Sequence, residues 1–253
     1  MVVHRRFDVI LFDLGDTLLY FDGNWPQVFA QARQAMLESL QYRGIALGQD
    51  FLDDFYSRME AYYRERDSEF IELTTQYVLG ATLDDWNFKN TPDAVLQEAL
   101  VGFHRVTQAH WLPEEDALPT LRELRRMDYR LAAISNAADD ANTQTLVDKL
   151  GARPYLEFIL SSAAQGVRKP NPVIFQSALD RMGITSDRAV MVGDTLGADI
   201  LGAHNAGIYA IWVTRQADTA ANRAHADTIR PDAQIVDLSD LPALMQSLET
   251  PGV

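Results

Sequence analysis

From about residue 117 onward the chain alternates two textures, and this alternation most limits the folds open to it. Apolar runs at Tyr129 to Ile134, Ala189 to Val192 and Ile208 to Val213 read as strands. A shorter run at Glu157 to Ser161 and a last one at Gln234 to Val236 join them. Between them lie amphipathic stretches at Ala117 to Met127, Ala141 to Leu150, Pro172 to Met182 and Gly197 to Ala206, with Leu241 to Leu248 as a terminal helix. Strands alternating with helices of this length predict a doubly wound parallel sheet of the α/β class. One further run, Phe7 to Phe12, stands at the start of the chain. Being apolar at almost every position, it suits a strand covered on both faces.

Residues 22–108 have a different texture. Apolar positions recur at helical spacing from Pro26 to Tyr42, closed by Gly44, and again from Phe51 to Tyr63. Phe70, Thr74, Tyr77 and Val78 suggest a third helix, and Asp84 to Asn90 a loop. A fourth helix is expected to begin at Thr91-Pro92, with proline in its first turn. The expected organisation is therefore a discontinuous α/β core, 1–21 and 109–253, with a helical insert at 22–108.

The charge balance is 22 basic against 36 acidic side chains, or −14. That argues against nucleic acid and anionic membranes as partners, since both need a basic footprint. It leaves an anionic small substrate open, because local donors in a dry cleft outweigh a distant net charge. The chain has no cysteine, which removes disulfides, thiolate zinc sites and thiol catalysis. The five histidines show no metal-type spacing. With no apolar segment of membrane-spanning length and no signal-peptide pattern, the expectation is a cytoplasmic protein.

The chemistry lies where the strands stop. The first run ends in Asp13, the second in Ser135-Asn136, and another in Gly193-Asp194. In a parallel sheet these ends share one edge, where open α/β sheets bind their ligands. A lysine stands in the proline-stiffened loop Gly166-Val167-Arg168-Lys169-Pro170-Asn171-Pro172. Carboxylates at close quarters call for a cation, and an oxygen-rich site with few protein ligands suits magnesium. A hydroxyl, an amide and an ammonium opposite suit a phosphoryl group.

Four stretches carry a family resemblance. They are Phe12-Asp13-Leu14-Gly15-Asp16-Thr17-Leu18, Ile134-Ser135-Asn136, Arg168-Lys169-Pro170, and Val192-Gly193-Asp194-Thr195-Leu196-Gly197-Ala198-Asp199. In this order they resemble the motifs of the haloacid dehalogenase-like (HAD) hydrolase superfamily. The insert is similar to that family's first-type helical cap. The resemblance implies a Rossmann-like core and a Mg²⁺-dependent phosphatase acting on a small phosphorylated metabolite through an aspartyl-phosphate. Asp13 would be the nucleophile. Ser135 and the Asn136 amide would hold the phosphate, and Lys169 would neutralise it and orient Asp13. Asp13, the Gly15 carbonyl and Asp194 would ligate the metal. Asp199 would hold a metal-bound water or pair with Lys169. A helix beginning near Gly197 would turn its N-terminus toward the site. A monomer or homodimer is expected.

The first motif departs from the family pattern. The family carries an acid/base aspartate two residues after the nucleophile; here that position is Gly15, and the carboxylate stands at Asp16. Asp16 reads either as a turn or cap residue, or as a replacement acid/base reached through the freedom of Gly15. Three outcomes follow: Asp16 serves, water or substrate supplies the proton, or turnover is slow. The alternatives to a phosphatase are a metal-independent haloacid dehalogenase-type hydrolase, a phosphomutase, or a weakly active phosphate-binding or regulatory member. Asp139, Asp140 and Arg168 read as helix-capping or surface residues. For substrate choice the insert offers Trp25, Tyr62, Tyr63, Arg64, Arg66 and Trp86.

Overall fold

Val9–Phe12 forms β1, and all four of its side chains are buried. Ile10 and Phe12 pack into one apolar layer with Leu121, Leu124 and Val147. Val9 and Leu11 pack into the other with Ile174, Phe175 and Ala178. This two-sided burial is why the run carries no polar alternation. The structure is a computed structural model and describes residues 5–249.

The insert follows a short β2 (Leu19–Phe21) and precedes β3 (Trp111–Pro113). These two pair antiparallel, with Phe21 opposite Trp111, and form the stem on which the insert stands. Three residues are too few for a periodic signal, so neither strand was legible as such. Between them run α1 (Trp25–Tyr42), α2 (Gln49–Glu69), α3 (Thr75–Asp85) and α4 (Asp93–Gln108). Asn24 caps α1 by accepting from the Gln27 N–H. Phe70 does not start the third helix as expected: it ends α2 in the left-handed region, at φ 53°. Thr74 instead caps α3, and Pro92 sits just before α4 rather than inside its first turn. The four helices share an apolar core of their own, built on residues such as Met36, Leu40, Phe51, Phe55 and Leu83.

The chain then runs α5 (Ala117–Arg126), β4 (Arg130–Ser135), α6 (Asp140–Leu150), β5 (Ile159–Ser161), α7 (Ser162–Gln165) and α8 (Pro172–Met182). It continues with β6 (Ala189–Gly193), α9 (Leu201–Asn205), β7 (Tyr209–Val213), α10 (Ala220–His225), β8 (Ala233–Ile235) and α11 (Leu241–Glu249). The six-stranded sheet has the order β5-β4-β1-β6-β7-β8, and every pairing is parallel. The chain walks outward from β1 to β5, then returns to β6 on the other flank. That reversal puts a crevice at the carboxyl end of β1. In place of the single helix expected over Gly197 to Ala206, a π turn (Leu196–Ile200) leads into α9.

The insert also reaches the sheet body through a strap after α2. Ile71 pairs with Val167 in an antiparallel bridge, and the Arg168 N–H donates to the Phe70 carbonyl at 3.0 Å. The buried Glu72 carboxylate accepts from Tyr62 Oη at 2.6 Å on the insert side and from Ser162 Oγ at 2.7 Å on the sheet side. Among the described residues, no helix is long and apolar enough to cross a membrane.

Because the insert has its own core, Phe55→Ala is expected to lower its unfolding free energy by about 3–5 kcal/mol. Urea titration followed by circular dichroism measures this; a loss under about 1 kcal/mol would mean that the insert repacks around the gap.

Candidate active site

The three strand ends converge on Lys169. Its ammonium donates to Asp13 Oδ1 at 2.5 Å, to Asp199 Oδ1 at 2.7 Å and to the Ile134 carbonyl at 2.8 Å. All three donor positions are used, and the residue is 2% exposed. The Asn136 side chain fixes the lysine's backbone in both directions. Its Nδ2 donates to the Lys169 carbonyl at 2.9 Å, and its Oδ1 accepts from the Lys169 N–H at 2.8 Å. The sequence placed Asn136 here for its amide; the side-chain clamp is an addition. Ser135 lies at the end of β4, lines the same cavity and is 8% exposed.

Asp194 follows β6 and is held from behind. Its carbonyl accepts from Trp212 Nε1 at 2.7 Å and from Asn222 Nδ2 at 2.9 Å. Asn222 Oδ1 also accepts from the Leu196 N–H at 2.7 Å, so α10 braces the loop at two points. Thr17 Oγ1 lies 3.4 Å from Asp194 Oδ1. Asp199 folds back to accept from the Thr195 N–H at 3.0 Å, so the amide just before the π turn serves that carboxylate rather than an incoming anion. A Cβ on Gly193 would lie 2.4 Å from the Asp199 carboxyl, so only glycine fits there.

Asp13, Asp194 and Asp199 each place one carboxylate oxygen within 4.8 Å of the others, and all three are buried. Hard oxygen donors at this spacing, with the Gly15 carbonyl on the adjoining turn, fit a small divalent cation. Burial pushes the Asp13 carboxyl up to about 7, against the pull of Lys169. Burial and the charges of Asp13 and Asp199 push Asp194 up to about 8. Burial works against the Lys169 charge too, but its two carboxylate partners overcome that and hold the ammonium protonated.

A cavity of about 380 Å³ opens from these groups toward the insert. Trp25, Phe29, Phe103 and Trp111 give it an aromatic side. His104 and Asp139 give it a polar one, with His104 Nε2 3.4 Å from Asp139 Oδ2. Asp139 is also the N-cap of α6, as the sequence suggested. Burial opposes its charge, yet His104 and the Asn142 N–H hold its carboxyl below the usual range. Arg168 is not a surface residue: it lines the cavity, and its guanidinium lies 3.7 Å from Glu72. Asp140 does not cap a helix: it accepts from Ser161 Oγ at 2.6 Å.

Of the candidates on the insert, Trp25 and Tyr63 reach the cavity. Tyr62 is buried against Glu72, and Arg66 pairs with the same carboxylate. Trp86 donates to Asp54, and Arg64 is exposed on α2. His104, Trp111, Thr17, Trp212 and Asn222 were missed. Thr17 stands inside the first motif, so a signal existed. For the others contact comes only through folding: Asn222 meets a residue 28 positions away.

Asp16 has φ 56°, so it occupies the left-handed position of the turn, which Asp tolerates better than most residues. Burial, with Glu114 nearby, raises its carboxyl above the usual range, while the Phe21 N–H opposes this. A Cβ on Gly15 would lie 3.3 Å from Trp111 Cη2, so the indole stands where a side chain at position 15 would project.

In the metal-free protein, Asp13 and Asp194 hold protons to about 7 and about 8, against 3.8 for an unperturbed carboxyl. Between those limits the native state binds more protons than the unfolded chain, so raising the pH removes stability. A bound divalent cation competes with those protons and stabilises the native state. Thermal unfolding in EDTA is therefore expected at lower temperature at pH 8 than at pH 5.5, with a larger cation-induced rise at pH 8. Equal rises at both pH values would count against this cluster as the cation site.

The family model of haloacid dehalogenase-like hydrolases matches residues 7–207. A glyceraldehyde 3-phosphate phosphatase of Methanothermobacter thermautotrophicus is 31% identical over 90% of this chain and 94% of its own length. A phosphoserine phosphatase of Thermus thermophilus is 26% identical over 92% and 97%. Among solved structures, a 2-haloacid dehalogenase from Pseudomonas syringae pv. tomato DC3000 superposes with a TM-score of 0.67 at 28% identity, over 96% of this chain and 99% of that one. The chain is a member of the haloacid dehalogenase-like hydrolase family.

Proposed function

We propose that the protein is a Mg²⁺-dependent phosphatase that hydrolyses small phosphorylated metabolites through an aspartyl-phosphate on Asp13. The observation that carries this reading is the buried Asp13, Asp194 and Asp199 cluster facing a single ammonium. Three carboxyl groups around one lysine can all be ionised together only when a cation joins them, and a phosphate dianion enters so acidic a site only with that cation present. Phosphatase-named relatives that align over most of the chain support it.

In this reading Asp13, the Gly15 carbonyl and Asp194 would hold Mg²⁺, which would supply charge neutralisation at the phosphoryl oxygens. Asp199 pairs with Lys169 and keeps that ammonium in place beside them. Asp13 attacks phosphorus, Lys169 fixes the attacking carboxylate and offsets charge, and Ser135 and the Asn136 amide hold phosphoryl oxygens. Water then hydrolyses the acyl phosphate. Residues 22–108 act as a cap domain over a core made of 1–21 and 109–253, and the cavity between them receives the alcohol part. The working form is a monomer or homodimer in the cytoplasm.

The second reading is a metal-independent dehalogenase. The likeness to the Pseudomonas dehalogenase and the lack of a carboxyl at position 15 favour it. One experiment separates the two. Phosphate release from a panel of phosphomonoesters is expected to require Mg²⁺ and to fall about 10⁴-fold or more in Asp13→Asn. Asp194→Asn is expected to lose about 10²–10³-fold and to weaken Mg²⁺ binding in a calorimetric titration. Halide release from a 2-haloacid in EDTA, unchanged in Asp194→Asn, would overturn the phosphatase reading.

A further inference from the structure

Position 15 constrains the substrate. The turn after Asp13 offers no carboxyl at Gly15, and the Trp111 ring stands 3.3 Å from where its Cβ would be. A side chain at position 15 would touch the indole, so apolar ring atoms border the space that a proton donor there would use. Asp16, next along, is committed to the left-handed corner of the turn, where the Phe21 N–H faces its carboxylate. Other titratable groups on the cavity wall are Tyr63, Arg168, which pairs with Glu72, and His104 with Asp139, which join α4 to the start of α6.

We infer that the protein transfers the phosphoryl group from leaving groups that need no protonation: aryl, enol and acyl phosphates rather than esters of alkyl alcohols. This rests on the phosphatase reading and narrows it. In the first step a bond forms between Asp13 Oδ and phosphorus, and the bond from phosphorus to the leaving oxygen breaks. The leaving oxygen keeps the electron pair and departs as phenolate, enolate or carboxylate. In the second step water adds to phosphorus, the Asp13 carboxylate is released, and the proton passes to solvent. A phenol ionises near pKa 10 and leaves as an anion with modest penalty, as the tyrosine side chain illustrates. An alkyl alcohol lies close to water, about 15.7, and depends on an acid.

The cavity wall suits such a planar group. The Trp111 and Phe21 rings meet edge to face at 5.4 Å, Phe21 and Trp25 at 4.7 Å, and Phe29 and Phe103 at 5.3 Å. Trp25, Phe29, Phe103 and Trp111 from this row all face the cavity.

The test compares p-nitrophenyl, phenyl and benzyl phosphate, with acetyl phosphate as the acyl case, on the full chain with Mg²⁺. Phenyl and benzyl phosphate share a ring and differ in leaving-group acidity. The expected kcat/KM for benzyl phosphate is at least about 10²-fold below that for phenyl phosphate, the usual worth of a general acid. Gly15→Asp combined with Trp111→Phe restores a carboxyl and removes the outer indole atoms, and is expected to narrow that gap at least tenfold. Values within tenfold in the native protein would overturn the inference. A small native gap that widens in Asp16→Asn or His104→Gln would assign the acid to that residue and overturn it as well. A folded double variant with an unchanged gap would show that position 15 is not where the acid is missing. No phosphate release from any of the four sinks the phosphatase reading itself, whereas equal rates on phenyl and benzyl phosphate sink only this narrower claim.

Discussion

The Lys169 ammonium is the interaction on which the rest of the molecule depends. It sits out of water, and its three protons go to β1's Asp13, β4's Ile134 carbonyl and Asp199 beyond β6. Removing one partner from a buried, hydrogen-bonded charge costs about 3–5 kcal/mol, because the other is left without compensation. The three central strands and the loop before α8 therefore cannot separate without exposing this centre. Asn136 adds the geometric half of the arrangement by clamping the lysine's own peptide groups. The same group that ties the sheet edge together holds Asp13 in place, so the fold and the candidate site share one electrostatic origin.

Around that centre the molecule is divided by the kind of packing it uses. The sheet body buries strands on two faces, and the insert buries four helices against one another. The cavity lies between them, one end carboxylate and ammonium, the other aromatic. The carboxylates and the ammonium stand at strand ends and on the loop before α8, while Trp25, Phe29 and Phe103 on the aromatic side come from the insert. That division is consistent with one family scaffold serving relatives named for different phosphate esters.

The features legible in the sequence were those with a strong local cause. β1 was readable because two-sided burial removes every polar residue from it, and α6 and α8 because Gly151 and Gly183 end them in the left-handed region. The meeting of Asp13, Ser135 and Asp194 followed from parallel topology, whereas Lys169 stands on a proline-stiffened loop and its role came from the family resemblance. Less was legible where the cause was distant or brief. The ribbon of β2 and β3 is three residues long on each side. Glu72 looks like any polar loop residue until Tyr62 and Ser162 close on it from opposite sides. Asn222 braces Asp194 from a helix of six residues that carries no pattern of its own. The Gly15-Asp16 order was visible at once, but not that an indole from 96 positions later, at Trp111, would sit against it.

The helical insert meets the sheet body at more places than the β2–β3 ribbon and the strap around Glu72. The Thr75 N–H donates to the Ala138 carbonyl at 2.9 Å, Gln108 Nε2 donates to Asn142 Oδ1 at 2.8 Å, and His104 lies 3.4 Å from Asp139. The strap also hydrogen-bonds to Arg168, the residue immediately before the lysine. The backbone that carries Lys169 is thus gripped from two sides, by the insert through Arg168 and by Asn136 from the end of β4.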